Sequence, residues 1–176
     1  MNGYYLITLT ALTGVVTTFF IIYYILLRRR LRCHASWTLL SANLKARCSQ
    51  AGALIEIVTA IAAHEKALLA EAERTRQAVL AASVIADQAN ANRELAVAVD
   101  DLLRLGKIYP SLQSNGNFTK IAEDLTSLDD KIDITCREYN LLTGQFNSIL
   151  SKIPLKWIGW VMNFHTLGQW TMGNDQ

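Results

Sequence analysis

The sequence predicts an all-α protein: a single N-terminal transmembrane helix followed by a long up-and-down antiparallel bundle of three to four helices. Three observations lead to this fold class. Residues 2–27 contain no charged side chain. Residues 37–105 contain no proline and a single glycine, and they are rich in residues that favour helix. Apolar side chains in the C-terminal half recur every 3.5 residues over five heptads, which is typical of helices packed along a common seam.

The composition fits one domain with more apolar residues than a soluble surface needs. Of the 176 residues, 51% are hydrophobic and 18% are charged, against about 25% charged in an average soluble domain. Collagen, disordered chains and disulfide-rich scaffolds are excluded. Four of the 17 basic residues lie within 28–32, which leaves 13 to balance 15 acidic residues. Because a nucleic-acid-binding domain carries a basic face spread over its surface, we expect no nucleic-acid partner.

Residues 4–27 are expected to cross a membrane. About 24 residues at about 1.5 Å per residue give about 36 Å, enough for the roughly 30 Å hydrocarbon layer with some tilt. Tyrosine pairs at 4–5 and 23–24 suit the two interfaces. A cleaved signal peptide is the alternative, but it carries basic residues before its apolar stretch, where this chain has none. We take residues 1–32 as the membrane anchor.

The arginines directly after the span, Arg28, Arg29, Arg30 and Arg32, predict the topology. Basic residues that flank a span stay preferentially on the cytoplasmic side. The chain is therefore expected to be a single-pass protein of the bacterial cytoplasmic (inner) membrane, with the N-terminus outside and the C-terminal domain in the cytoplasm. The same arginines are candidates for contact with anionic head groups, so membrane lipid is one expected partner.

Residues 33–153 are predicted to form the bundle. Its first helix begins near residue 35, and we leave open whether it continues the span without a break. The apolar stripe of this helix consists of Leu40, Leu44, Ala51, Leu54, Val58, Ile61, Leu68 and Ala72. The spacing of three and four residues within it is that of one helix face.

A second helix is predicted over about 88–108, ending before Pro110. The turn that precedes it carries little signal, and we place it at 86–92, where Asn90 and Asn92 interrupt the helical pattern.

A third helix is predicted over about 117–152. An N-cap is available in residues 114–117, and Pro154 ends the helix because proline lacks the backbone donor. Its seam consists of Phe118, Ile121, Leu125, Leu128, Ile132, Thr135, Tyr139, Leu142, Phe146, Ile149 and Ile153. Such a seam requires a neighbouring helix.

The C-terminal tail, residues 154–176, is rich in tryptophan. Its three tryptophans are Trp157, Trp160 and Trp170. In an up, down, up bundle the third helix ends far from the membrane, which favours a tail that packs on the bundle or on a partner. If the first helix breaks instead, near Gly52 or after Glu65, the tail returns to the bilayer interface, where tryptophan is common.

Several short motifs follow one another in order along nearly the whole chain. They are the apolar span, the arginines, His64-Glu65, residues 109–115 with Phe118, Tyr139-Asn140, Phe146-Asn147 and Ile153-Pro154. This order resembles the LemA family of bacterial membrane proteins. The resemblance implies an up-and-down helical bundle behind a membrane anchor, and no defined biochemical activity. The chain departs from the family pattern at residues 50–53, at Asp129 and at Cys136.

His64 and Glu65 are the polar pair that invites a catalytic interpretation. A helical zinc site would need a second histidine where Leu68 stands. The heptad through Val58 and Ile61 instead places Glu65 at a core-facing position, so we interpret the pair as an interhelical polar layer. A proton-transfer or ligand site and an exposed surface pair are the alternatives. We assign no catalytic, cofactor-binding or metal-ligating residue.

Asn140 and Asn147 each follow a seam aromatic and lie seven residues apart on one stripe. We expect their amides to bond across to a neighbouring helix as part of the same interhelical polar layer. A partner-docking stripe is the alternative.

The loop that begins at Tyr109 and Pro110 and runs through Asn115 to Asn117 is the candidate partner-binding loop, because exposed loops often carry binding. The alternative is that these residues only shape the turn.

Three cysteines, Cys33, Cys48 and Cys136, are too few for a disulfide framework and odd in number. Reduced thiols are expected, in agreement with a cytoplasmic bundle. No spacing of cysteine and histidine indicates zinc.

The function predicted from these features is a membrane-anchored scaffold or adaptor without catalytic activity and without a cofactor. Its protein partners are unknown, and a homo-oligomer is left open. One alternative is a metal-binding or hydrolytic bundle enzyme that uses His64 and Glu65 with Asp129 and Asp130. Another is an envelope coil that reaches outward, which would require inverted topology.

Overall fold

A computed structural model of the chain describes residues 2–151 and 166–170. All regular structure within them is helical. The five helices are α1 (Asn2–Ile61), α2 (Lys66–Ala81), α3 (Ile85–Ile108), α4 (Pro110–Gln113) and α5 (Gly116–Leu150). The predicted all-α fold, with a long apolar N-terminal helix and a helical bundle, is confirmed.

Helix α1 continues from the apolar segment into the bundle without a break. It has 60 residues, which corresponds to about 90 Å. Within the described residues it is the one helix whose length and composition would allow it to cross a membrane. Large apolar side chains of its first part are exposed, for example Ile7 at 66%, Val15 at 68% and Phe20 at 65%.

The predicted turn at 86–92 is wrong. Those residues lie inside α3, and the chain reverses instead at 62–65 and at 82–84. The side chain of Asn92 does not end the helix because its amide donates to the carbonyl of Gln88 one turn back. The break after α1 contains no glycine or proline, so no local signal marks it. It follows from packing, since the reversal places Ala72 in the same buried cluster as α1.

Two members of the predicted first stripe, Leu68 and Ala72, therefore belong to α2. The bundle has four long helices in up, down, up, down order, with α4 as a short turn between α3 and α5. The favoured arrangement, with the end of the third helix on the far side, is wrong for the same reason, and the alternative of a first helix that breaks after Glu65 agrees with the observed break at 62–65. Helix α5 returns along α1, its most extensive partner, and Leu150 packs beside Leu26.

The apolar seam of α5 is confirmed. Its buried members are Phe118, Leu125, Ile132, Thr135, Tyr139 and Phe146. Ile121, Leu128, Leu142 and Ile149 are half-buried, and Ile153 lies outside the described residues. The predicted limits of 117–152 and 88–108 agree with α5 and α3 to within three residues.

Three apolar clusters follow one another along the bundle. The distal cluster, farthest from the N-terminal segment, joins α1, α2, α3, α4 and α5 around Leu54, Leu102 and Leu112. The middle cluster contains Leu40, Leu44, Ala89, Ile132, Cys136, Tyr139 and Trp170. The proximal cluster contains Leu26, Cys33, Phe146 and Leu150. Helices α2 and α3 do not contribute to the proximal cluster, so there the described chain consists of α1, α5 and residues 166–170.

Candidate functional site

His64, Glu65 and Tyr109 form a hydrogen-bonded group at the distal end of the bundle, which we call the tip cluster. The Tyr109 hydroxyl donates to Glu65 Oε1 at 2.7 Å and lies 2.5 Å from His64 Nε2. The bond to the carboxylate raises the pKa of Tyr109. The cluster thus ties the connection between α1 and α2 to the end of α3.

The predicted position of His64 and Glu65 on a helix face is wrong, because α1 ends at Ile61. His64 lies in the connection, with 63% of its side chain exposed, and Glu65, at the N-cap of α2, is 32% exposed. The pair therefore links helix ends at the surface and does not form a layer inside the bundle.

The candidate loop is built of helix termini. Tyr109 ends α3, and Pro110 is the first residue of α4, where its missing N–H is tolerated. Asn115 caps α5, its Oδ1 accepting from the backbone N–H groups of Asn117 at 3.0 Å and Phe118 at 3.2 Å. The N-cap predicted from residues 114–117 is confirmed. Pro110 and Asn117 are exposed, and whether they bind a partner stays a prediction.

Asn140 and Asn147 hold an extended stretch of the chain, residues 166–170, which we call the tail segment. Asn140 Nδ2 donates to the Trp170 carbonyl at 2.7 Å, and its Oδ1 accepts from the Trp170 N–H at 2.8 Å. Asn147 makes the same pair of bonds with Leu167, at 2.9 and 3.0 Å. The Tyr139 hydroxyl donates to the Gly168 carbonyl at 2.7 Å.

The expected bond of these amides to a neighbouring helix is therefore wrong: their partner is an extended backbone. Both repeats match. Seven helical residues at about 1.5 Å advance about 10.5 Å, and three extended residues at about 3.3 Å advance about 10 Å. Two asparagines two turns apart on α5 thus meet every third residue of an antiparallel extended chain.

The tail segment covers the surface between α1 and α5. The start of α3 borders this surface at the end where Trp170 lies. We call this surface the tail groove. Trp170 is 1% exposed and lies in the middle cluster with Ile85. Its ring centroid is 5.8 Å from that of Trp37. Leu167 packs against the proximal cluster. For Trp170, packing on the bundle is thus observed, whereas Trp157 and Trp160 lie outside the described residues.

The arginines that follow the apolar segment project from α1 in several directions. Arg28, Arg30 and Arg32 are exposed and Arg29 is half-buried. The Arg28 guanidinium lies 5.5 Å from the centre of the Tyr24 ring, a cation–π distance. Their roles in topology and lipid contact stay predictions.

A half-open cavity of about 540 Å³ lies between α1 and the α2–α3 hairpin. Its wall includes Arg76, whose bidentate pairing with Glu73 lowers the pKa of that carboxyl to about 2. Asn92 also lines it. No pattern in the sequence indicated this cavity, because its wall is assembled from α1, α2 and α3 after the chain reverses at 62–65.

Arg47 and Asp129 form an ion pair between α1 and α5 that sequence reasoning missed. Arg47 NH2 lies 3.1 Å from Asp129 Oδ1, and the arginine side chain is 9% exposed against 52% for the aspartate. Burial lowers the pKa of Arg47, and the charge of Asp129 opposes that shift. The sequence does contain an indication that Arg47 is buried, because it occupies the position between Leu44 and Ala51 in the apolar stripe of α1.

Removing the two partners is expected to have unequal effects. Asp129→Asn leaves a buried guanidinium without a counter-charge and should lower the free energy of unfolding by about 1–2 kcal/mol, moderated by the exposure of Asp129. Arg47→Met removes the buried charge and leaves a solvated carboxylate, so it should be close to neutral. Chemical denaturation of both variants measures the difference, and equal losses would contradict this account of the pair.

Within residues 2–151 and 166–170, no group of three or more histidine, cysteine or acidic side chains could hold a metal ion. Asp129 is engaged by Arg47, and the tip cluster stands apart from it. The three cysteines are buried and free, and burial raises the pKa of the Cys48 and Cys136 thiols. The metal-dependent enzyme therefore stays an untested alternative, which metal analysis of the purified protein would decide.

The geometry defines a class: helical-bundle proteins whose first helix extends as a long apolar segment beyond the bundle. The sequence profile of the LemA family matches residues 36–176. Since the match covers most of the chain, the protein belongs to the LemA family, as the order of its motifs predicts. No curated protein matches the chain.

Proposed function

We propose that this protein is a single-pass protein of the bacterial cytoplasmic membrane that presents its bundle to the cytoplasm as a non-enzymatic scaffold or adaptor. The observation that carries the proposal is the continuity of α1, whose exposed apolar part and bundle part form one helix. An uninterrupted helix holds the bundle at a fixed height and direction relative to the bilayer. That is what a membrane-bound platform for other proteins requires.

The orientation rests on the arginines. Arg28, Arg29, Arg30 and Arg32 directly follow the apolar segment, and residues 2–27 carry no charged side chain; basic residues that flank a span stay preferentially on the cytoplasmic side. The scaffold role rests on the extended shape of the bundle, which has two separate candidate surfaces: the exposed candidate loop at the tip, and the tail groove, which the chain's own tail segment covers in this structure.

Cysteine labelling in intact cells tests the topology. Gly3→Cys and Ser127→Cys introduce exposed thiols before the span and on α5, while the native thiols are buried and supply little background. A membrane-impermeant maleimide should label Gly3→Cys in intact cells and Ser127→Cys only after lysis. The opposite pattern would support the outward-reaching coil. Recovery of the protein in the soluble fraction would contradict the proposal that residues 1–32 anchor it in a membrane.

Proximity labelling on intact membranes tests the scaffold role. A labelling enzyme is fused to the C-terminus of the full chain and, as matched control, to residues 1–35 alone. The full chain is expected to label a reproducible set of proteins that the anchor control does not. Identical sets from both fusions would contradict the proposal.

A further inference from the structure

The tail groove recognises its occupant mainly through main-chain atoms. Four of the five hydrogen bonds come from two asparagine amides, each of which pairs with the N–H and the C=O of a single residue. Tyr139 supplies the fifth, to another carbonyl. None of these bonds depends on the side chains of the tail segment. They would form equally with any extended chain of the same direction.

Side-chain selection is confined to two positions three residues apart. Trp170 is buried in the middle cluster, and Leu167 is half-buried against the proximal cluster. The other three residues of the tail segment, including Gly168 and Gln169, are exposed. The groove therefore selects for a segment in which an aliphatic residue is followed, three residues later, by an aromatic residue.

The tail segment is an imperfect occupant of the aromatic pocket. The indole Nε1 of Trp170 is buried and has no hydrogen-bond partner among the described residues. A buried donor without an acceptor is unfavourable, because it loses its hydrogen bond to water and gains none in the protein. A phenylalanine would keep the aromatic packing and carry no such donor.

From this geometry we infer that the tail groove is a peptide-binding site that the chain's own tail segment occupies until another protein displaces it. The ligand is an extended segment of a second protein with the pattern aliphatic-x-x-aromatic, in which phenylalanine is preferred to tryptophan. The inference rests on the proposed scaffold function and names the class of partner that one of its surfaces takes.

A different protein is favoured over a second copy of this chain. Fourteen residues, 152–165, connect Ser151 to the tail segment, yet Asn147, which binds Leu167, lies just one helical turn before Ser151. Because it is tethered, the chain's own tail has an effective concentration at the groove that a second copy in free solution does not reach. An identical tail from a second copy has no affinity advantage with which to displace it, whereas a better-matched peptide does.

Peptide binding to the full-length protein in lipid nanodiscs tests the inference. The probe is a fluorescent peptide with the sequence of residues 164–172, followed by anisotropy. The wild-type protein should bind it weakly because its own tail competes. Trp170→Ala loosens that tail and should bind the probe at least about tenfold more tightly. A probe with phenylalanine in place of tryptophan should bind more tightly still, and a scrambled probe should not bind.

The asparagine contacts are tested in the loosened background. Adding Asn140→Ala to Trp170→Ala removes two hydrogen bonds to the peptide and should weaken binding about tenfold. Ser148→Ala, an exposed position on the same helix, is the matched control and should change nothing. Circular dichroism verifies folding of each variant. Leu167→Ala, which loosens the other end of the tail, replaces Trp170→Ala if that variant does not fold.

Three results would overturn the inference. They are equal probe affinity for wild type and the loosened variant, no effect of Asn140→Ala, and a concentration-dependent wild-type dimer that Asn140→Ala abolishes, which would make a second copy the occupant. None of them affects the proximity-labelling comparison with the anchor control. Failure of the peptide site is therefore distinguishable from failure of the scaffold proposal.

Discussion

Substitution of Ile132 by aspartate is expected to unfold the bundle. Ile132 is 1% exposed at the centre of the α5 seam, where it packs with Leu40 and Leu44 of α1. Losing a buried isoleucine side chain alone costs about 2–5 kcal/mol, and an unpaired carboxylate at the same place adds to that loss. Since a domain of this size is stable by about 5–15 kcal/mol, the variant should lose most or all of its cooperative unfolding transition.

Ile134→Asp provides the matched control. The residue lies two positions away on the same helix and is 67% exposed, so the same change of side chain should alter stability by no more than about 0.5 kcal/mol. Thermal unfolding of both variants, followed by far-ultraviolet circular dichroism, measures the contrast. A cooperative transition for Ile132→Asp near the wild-type temperature would mean that this seam is not buried in solution.

The contrast between these two isoleucines was predictable from the sequence, because it depends on periodicity alone. Five heptads of one spacing place Ile132 in the seam and Ile134 outside it. The same spacing in α1 predicted the buried face around Leu54 and, had Arg47 been included in it, the position of the ion pair. Repeating patterns are therefore where the sequence predicts this fold well.

The breaks between helices were not predictable from local sequence. Residues 62–65 and 82–84 lack glycine and proline, so the chain turns there because α2 and α3 gain contacts with α1, an effect of tertiary packing. The position of the first break affected two other predictions. His64 and Glu65 were placed on a helix face, and the favoured three-helix arrangement placed the end of the last helix far from the apolar segment, whereas the alternative with a break after Glu65 returns it there, as observed.

Of the tail groove, the sequence predicted the asparagine stripe on α5 but not the segment that it binds. The spacing of Asn140 and Asn147 identified a stripe that forms hydrogen bonds, as expected from seven residues on one helix. Its partner could not be found, because an extended backbone bound by side-chain amides leaves no pattern in its own sequence beyond the buried Leu167 and Trp170.

A side chain introduced at Gly106 is expected to clash with its surroundings, whereas one introduced at Gly52 is not. A Cβ atom at Gly106 would lie 2.6 Å from Phe118 Cε1 and 2.9 Å from Cζ, and the ring cannot move away because Phe118 is 6% exposed within the distal cluster. At Gly52 the nearest atoms are those of the flexible Arg76 side chain at 3.7 Å, an ordinary contact. Both glycines lie inside helices, so their difference reflects packing alone.

Gly106→Val should therefore destabilise the bundle by about 3 kcal/mol, at the upper end of overpacking, because the gain in helix propensity over glycine is only a few tenths of a kcal/mol. Gly52→Val should stay within about 1 kcal/mol of wild type. Phe118→Leu shortens the obstructing ring, so the penalty of Gly106→Val should fall by at least about 1 kcal/mol in that background. Urea denaturation of the four proteins in this cycle measures the coupling. A penalty that is the same with either residue at 118 would show that the Phe118 ring is not what leaves no room for a side chain at position 106.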